Sequence, residues 1–136
     1  MSRDFKINGT SLLTIARVTS WDGVDAAGPL RGSNPTYPGV AGDTWAPKVR
    51  GSYVFTIPCV LLGTSPADYQ DRLDDLRTLL DSSTASLTLQ RIRPTGGGDV
   101  TESATGDYLA GLEPAAVNIV IGRVAIDLVN LDGSWS

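Results

Sequence analysis

The residues that could support chemistry are few and lie far apart in the chain. There is no histidine and one cysteine, which removes Ser–His and Cys–His nucleophile pairs, histidine-ligated zinc and the usual general base near neutral pH. Cys59 lies in the strongly apolar run Tyr53–Leu62, so we expect a buried small hydrophobe rather than a reactive thiol. A single cysteine also excludes an internal disulfide.

Two short motifs share only part of the pattern of a ligand-binding loop. Gly96-Gly97-Gly98-Asp99 lacks the Gly-Lys-Ser/Thr of a phosphate-binding loop, and Asp22-Gly23-Val24-Asp25 lacks the alternating carboxylates and final Glu of an EF-hand. Asp71, Asp74 and Asp75 lie opposite the apolar stripe of a predicted helix, where an exposed carboxylate has no cause for a raised pKa. We therefore expect no catalytic, metal or cofactor site, and a protein that is not an enzyme.

Composition and charge narrow the class of partner. The chain has 136 residues, 41% of them hydrophobic and 19% charged, with 11 basic and 15 acidic side chains and a net charge of −4. This length fits one domain, residues 1–136. Nucleic-acid binding as the main role is disfavoured, because the basic residues are scattered and outnumbered. No signal peptide or membrane span is predicted, so we expect a soluble protein made in a reducing cytosol.

The N-terminal half predicts strands joined by a tight turn. Asn8-Gly9 favours a hairpin after the short strand Phe5–Ile7, and Leu12–Trp21 is rich enough in β-branched residues to be the return strand. Gly51–Leu62 predicts a long strand with two apolar faces. Pro58 within it has no N–H to donate, which predicts an edge position or a bulge.

One helix is predicted after this strand. Ser65 is a good N-cap, Pro66 suits the first helical position, and Asp68 favours the first turn. Apolar residues then recur at helical spacing and form one stripe: Tyr69, Leu73, Leu76 and Leu80. Such a helix is expected to pack on a sheet.

The C-terminal half returns to strands. We expect strands at Ser86–Ile92, Tyr108–Leu112 and Asn118–Asn130, with a Gly- and Thr-rich loop from Pro94 to Gly106. Gly122 in the last strand predicts a bulge or a close neighbour. The expected fold class is mainly β with one α-helix, an antiparallel β-sandwich or barrel with the helix at its flank.

The 29 residues Asp22–Arg50 show no sustained period and contain five Gly and four Pro. We expect a long loop or arm that leaves the body of the domain and becomes ordered on assembly. Large aromatic residues at element ends and in loops are often interface anchors, although core packing is an equal alternative. The candidate subunit-interface residues are Trp21, Tyr37, Trp45, Val49 and Trp135.

A known family shows a similar order of motifs. These are Phe5-x-Ile7-Asn8-Gly9, the turn Pro38-Gly39-x-x-Gly42-Asp43, the strand Arg50–Ile57, the helix from Tyr69 to Leu80, the strand Arg123–Leu128, and the closing Asp132-Gly133-x-Trp135. In this order they resemble the N-terminal ring-forming domain of siphophage distal tail proteins. The last two are also similar to minor tail proteins of actinobacterial phages.

The resemblance implies a structural virion protein. Six copies would form a ring at the distal end of the tail tube, with a continuous inner β-barrel around the lumen that DNA traverses. The tail tube and the tail hub or tip would be its neighbours, with no membrane insertion. A net negative chain should not retain passing DNA, so we expect polar or acidic lumen-facing positions. Two alternatives remain open: a major tail tube protein that stacks as hexamers, and a monomeric β-sandwich carbohydrate-binding module.

Overall fold

The computed structural model describes residues 3–27, 30–31, 49–109 and 112–136. Within them lie two α-helices, α1 (Asp22–Asp25) and α2 (Pro66–Leu79), and a 3₁₀ turn at Leu12–Thr14. The strands are β1 (Asp4–Ile7), β2 (Thr10–Ser11), β3 (Arg17–Val18), β4 (Leu30–Arg31), β5 (Val49–Arg50), β6 (Tyr53–Leu62), β7 (Leu87–Thr95), β8 (Gly98–Tyr108), β9 (Ala115–Ala116) and β10 (Ile121–Asn130).

The main sheet is antiparallel and curled. Its order is β2-β1-β7-β8-β10-β6-β3, with β9 paired to β10, and β4 pairs with β5 separately. The two edge strands are close in sequence, since β2 ends at Ser11 and β3 begins at Arg17. Six residue steps span at most about 22 Å, whereas seven flat strands are about 29 Å across. The sheet must therefore curl to bring its edges together, and the prediction of a mainly β fold with one main helix is confirmed.

The N-terminal hairpin forms as predicted, but the predicted return strand does not. Asn8 and Gly9 have φ of 51° and 85°, the left-handed values of the expected turn. Leu12–Trp21 was expected to be one strand, and this is wrong. Ser11 caps a 3₁₀ turn that buries Leu12 completely. The reason is topological, because this segment crosses from one edge of the curled sheet to the other.

The long strand β6 and the helix α2 form as predicted. The Ser65 hydroxyl accepts a hydrogen bond from the Asp68 N–H at 3.1 Å, and Pro66 begins the helix. Ion pairs on the exposed side of the helix join Arg72 to Asp68 (3.0 Å) and Arg77 to Asp74 (2.9 Å). The predicted apolar stripe is buried: Tyr69, Leu73, Leu76 and Leu80.

The hydrophobic core lies between α2 and the inner face of the sheet. Along β6 and β10 every second residue points inward, as period-two alternation requires. The inward members are Phe55, Ile57, Cys59, Leu61, Val124, Ile126 and Leu128, all buried. Pro58 lies just beyond the end of the short strand β3, and its carbonyl accepts the Thr19 N–H at 2.9 Å. A residue without an N–H is tolerated there because the neighbouring strand ends at Val18.

The prediction of a loop from Pro94 to Gly106 is wrong. These residues belong to a β-hairpin. β7 continues to Thr95, and β8 runs from Gly98 to Tyr108 in place of the short strand predicted at Tyr108–Leu112. The glycine run supplies the turn, and Gly98 has φ of 114°. The outward residues of β8 are small and polar, so the apolar alternation that identifies a half-buried strand was weak.

The final strand is shorter than predicted. It begins at Ile121, because the Asn118 side chain accepts the Val120 and Ile121 N–H groups at 2.8 and 3.0 Å and forms a turn before it. Gly122 has the close neighbour that was expected, the ring of Tyr69.

Part of the predicted arm is described. Asp22–Asp25 form the one-turn helix α1, and Leu30–Arg31 pair with Val49–Arg50. A Cβ on Gly23 would lie 2.3 Å from the Thr56 carbonyl oxygen, so α1 packs directly against the backbone of β6. Tyr37 and Trp45 lie outside the described residues.

Candidate assembly surface

Trp135 contacts the core of its own chain. Its ring makes edge contacts with Phe5 and Phe55 at centroid distances of 6.0 Å in both cases. Its indole N–H donates to the Tyr53 hydroxyl at 2.8 Å, and the Arg91 guanidinium lies 4.9 Å from the ring centroid. The C-terminal segment is therefore fixed to the body of the domain.

The other interface candidates differ in position. Trp21 precedes α1 and is partly buried against the core, with the Arg3 guanidinium 5.0 Å from its ring centroid. Val49 is described by its backbone only, in β5. Trp21 and Trp135 both pack against the core of their own chain. A role between subunits stays a prediction for all five candidates.

A compact cluster of charges lies beside the two tryptophans. Arg93 donates to Glu102 at 2.5 Å, and Arg91 lies 3.3 Å from the same carboxylate oxygen. Arg3 donates to both oxygens of Asp25. These hydrogen bonds hold the pKa of Glu102 and the pKa of Asp25 below their usual ranges.

This cluster is not evident in the sequence, because it joins charged residues from four separate segments of the chain. Arg91 also donates to the Val24 carbonyl at 2.8 Å and so ties β7 to α1. Both carboxylates are already paired with arginines, so the arrangement orders α1 at the start of the arm rather than providing a free acid or base.

The residues first considered for chemistry are a buried thiol and exposed carboxylates. Cys59 is 2% exposed, and burial raises the pKa of its thiol to about 12. Asp71, Asp74 and Asp75 are exposed on α2. Among the described residues, no group of three or more Cys, Asp or Glu could hold a metal ion. No described helix has the length and apolar character needed to cross a membrane.

The outer face of the sheet, opposite α2, is divided into two halves. On β1, β7 and β8 most side chains of this face are polar, and we call it the polar half. Its polar members are Lys6, Thr88, Gln90, Thr101, Ser103 and Thr105, flanked by Asp4, Asp99 and Asp107. Ile92 and Pro94 of β7 lie on the same face. With one lysine and three aspartates this half is net acidic. Thr88, Thr101 and Thr105 are exposed on it.

On β6 and β10 the outer face is mainly apolar, and we call it the apolar half: Val54, Pro58, Val60, Leu62, Ile121, Ala125 and Val129. Val54 is 58% exposed and Leu62 43%. Thr56 and Asp127 interrupt it with a hydrogen-bonded pair at 2.6 Å, and the exposed Arg123 lies on the same face opposite Val60. Exposed apolar surface of this kind is typical of an interaction surface.

The comparisons with known proteins identify the fold. No protein-family model matches the chain, and no curated protein matches it. A solved structure does, that of the SPP1 Dit protein, with a TM-score of 0.65 and 14% sequence identity over 98% of this chain. This chain has the Dit fold. The Dit protein is described as a paradigm of the hub adsorption apparatus in phages that infect Gram-positive bacteria.

The match to the Dit protein covers nearly all of this chain but only part of the Dit chain. This chain spans about half of the Dit chain, 51% of its length. The predicted resemblance to distal tail proteins is confirmed at the level of fold, and so is the similarity to a phage tail structural protein. The predicted similarity to actinobacterial minor tail proteins receives no support from it.

Proposed function

We propose that this chain is a structural subunit of a long non-contractile phage tail, forming a hexameric ring at the distal end of the tail tube. The observation that carries the proposal is the match of 98% of the chain to the Dit fold. Because the match covers nearly the whole chain, it supports one domain over residues 1–136. We include the arm 22–50 in this domain and in its assembly role.

In this role the chain has no enzymatic function and uses no cofactor. Its partners are copies of itself, the tail tube on one side and the tail hub or tip on the other, and its location is the virion tail. DNA passes through the lumen without specific binding. The net charge of −4 supports this, because a negatively charged wall does not retain a polyanion.

The polar half is the surface that we assign to the lumen. Thr101, Ser103 and Thr105 on β8 offer small neutral groups, and the flanking carboxylates of Asp99 and Asp107 make the surface acidic. Core side chains fill the inner face of the curled sheet, so its outer face is the one that can line a channel. An acidic, hydrated surface suits that position.

Negative-stain electron microscopy with light scattering after gel filtration tests the proposal. Single six-fold rings are the expected result. Stacked tubes would instead support the major tail tube protein, and monomers at all concentrations would contradict the proposal and favour a β-sandwich binding module. Monomers would then be tested for carbohydrate binding.

The assignment of the lumen has its own test. In a Cys59→Ala background, Thr101→Cys is labelled with a gold cluster. The density should appear at the centre of the ring, and density at its periphery would refute the assignment of the polar half to the lumen.

A further inference from the structure

Two arginines flank one valine on the outer face of the sheet. Arg17 of β3 and Arg123 of β10 are both in register with Val60 of β6, from opposite sides. Cross-strand partners lie on the same face, so the three side chains form one row. Two strand spacings place the arginine Cα atoms about 10 Å apart.

This row is an unusual positive site in an acidic protein. Arg17 and Arg123 are exposed, and neither forms an ion pair with another described residue. Pro58, Val60 and Ala125 form the apolar floor of a depression of about 610 Å³ that Arg123 borders; Glu113 and Thr19 also line it, and Arg17 lies outside it. Two cations over an apolar floor fit an amphipathic, negatively charged partner.

Helix α2 carries a surface of the opposite charge. Asp71 and Asp75 are exposed, lie one turn apart and form no ion pair with the described residues. Like charges at i and i+4 disfavour a helix by a few tenths of a kcal/mol, and this pair has no compensating contact within the described chain. Their Cα atoms are about 6 Å apart along the axis, within reach of two arginine side chains.

We propose that the row Arg17–Val60–Arg123 of one copy docks on the exposed face of α2 of a second copy, with the two arginines paired to Asp71 and Asp75. The proposal deepens the proposed function, because it rests on self-association and names the surfaces. The occupant is a second copy because the complementary acidic surface is present on the same chain.

The geometry fits a head-to-tail contact. Helix α2 packs on the inner face of the sheet, and the arginine row lies on the outer face, so the two surfaces point to opposite sides of the subunit. A contact between two different surfaces repeats from copy to copy and closes into a ring when the rotation between copies allows it. Helix α2, about 21 Å long, is shorter than the strands it would cover, about 33 Å.

Charge reversal tests this contact from both sides. The variant Arg17→Glu/Arg123→Glu gives each copy two negative surfaces, and Asp71→Arg/Asp75→Arg gives each copy two positive ones. Each variant alone should remain monomeric at concentrations where the wild type assembles, with the midpoint concentration of assembly raised about tenfold or more. Light scattering after gel filtration measures this, and circular dichroism checks that both variants are folded.

The decisive measurement is an equimolar mixture of the two variants. Every contact between unlike variants then pairs opposite charges, so the mixture should assemble as the wild type does. Asp81→Arg, a reversal at an exposed carboxylate in the loop after α2 and outside both docking surfaces, is the control and should assemble normally.

The outcomes separate this inference from the proposed function. If the wild type assembles and either reversal leaves its assembly unchanged, the docking contact is wrong and the proposed ring stands. If the two variants are monomeric and folded but their mixture does not assemble, the pairing of these surfaces is also wrong. A wild type that is monomeric throughout removes the proposed function itself.

Discussion

The Tyr69 hydroxyl lies against the backbone of Gly122, so closely that a Cβ on Gly122 would be 2.2 Å from the hydroxyl oxygen. This contact fixes the first turns of α2 against β10, and it explains why a glycine stands at the second position of this long strand. In most strands glycine is unfavourable, because it adds chain entropy and lacks a side chain to pack.

Gly122→Ala should therefore destabilise the fold by about 1–3 kcal/mol, the usual range for an overpacked core, although alanine is the better strand residue. Urea unfolding followed by circular dichroism measures the change. In the double variant with Tyr69→Phe the loss should be smaller, but not abolished, because the ring carbon Cζ would still lie 3.0 Å from the added methyl. Equal stability of Gly122→Ala and wild type would disprove the contact.

The turn between β1 and β2 should depend on the left-handed backbone of Gly9. Its φ is 85°, and a Cβ there would meet no atom within 4 Å, so conformational strain alone sets the effect. Gly9→Ala should cost about 1–2 kcal/mol in the free energy of unfolding. Gly97→Ala is the control, because Gly97 also has open space but no positive φ. Similar losses at both glycines would contradict the explanation.

Stability should fall at acidic pH through Glu102 and Asp25. Their pKa values in the folded protein are lowered, mainly by hydrogen bonds from Arg93 and Arg3. A lowered pKa stabilises the fold above the unfolded-state values, 4.5 for Glu and 3.8 for Asp, and this stabilisation is lost as pH falls through the folded-state values.

Urea midpoints measured from pH 6 downward should therefore decrease below about pH 5. Glu102→Gln should make that decrease shallower. Asp99→Asn, at the hairpin tip, should leave the slope close to that of the wild type. If Glu102→Gln loses as much stability at low pH as the wild type does, the charge cluster is not the source of the acid sensitivity.

The thiol of Cys59 should be unreactive in the folded protein. Burial raises its pKa to about 12, and it lies in the core beneath α2. Labelling with a maleimide at pH 7.5 should be slow without denaturant and should rise with the unfolded fraction in urea. The single cysteine makes the rate a direct probe of opening. Labelling of native protein at the rate of a small free thiol would overturn this expectation.

Trp135 should stabilise the isolated subunit. It is half-buried against Phe5 and Phe55 and donates to Tyr53, so Trp135→Ala should lower the free energy of unfolding by about 2–3 kcal/mol, somewhat below the range for fully buried tryptophan. The measurement is made at concentrations where both proteins are monomeric. Unchanged stability with weaker assembly would instead show that Trp135 acts between subunits.

Several elements could be predicted from the sequence because they depend on near neighbours. The Asn8-Gly9 turn, the alternation of β6 and the capped start of α2 at Ser65 each depend on residues within a few positions. The β7–β8 hairpin was not predicted, because the residues near each position carried no strand pattern. Its outward threonines and serine gave no apolar period, and its glycines suggested a loop.

The candidate site was harder to predict, because it joins residues distant in sequence. Arg91 reaches Trp135 only because Phe5 pairs across from it in β1 and the C-terminal segment returns over the core. The residues next to Arg91 and Trp135 in the sequence give no sign that these two side chains meet.

The sequence by itself determined that the chain is mainly β with one main helix, that Cys59 is buried, and that no histidine-based chemistry is available. Only the tertiary structure decided which outer strands are polar and which apolar, and that Arg17 and Arg123 flank Val60. The physical reason is that turn geometry and hydrophobic period act over a few residues. Register between strands depends on pairing across the whole sheet, and a shift of one residue would turn each of these side chains to the other face.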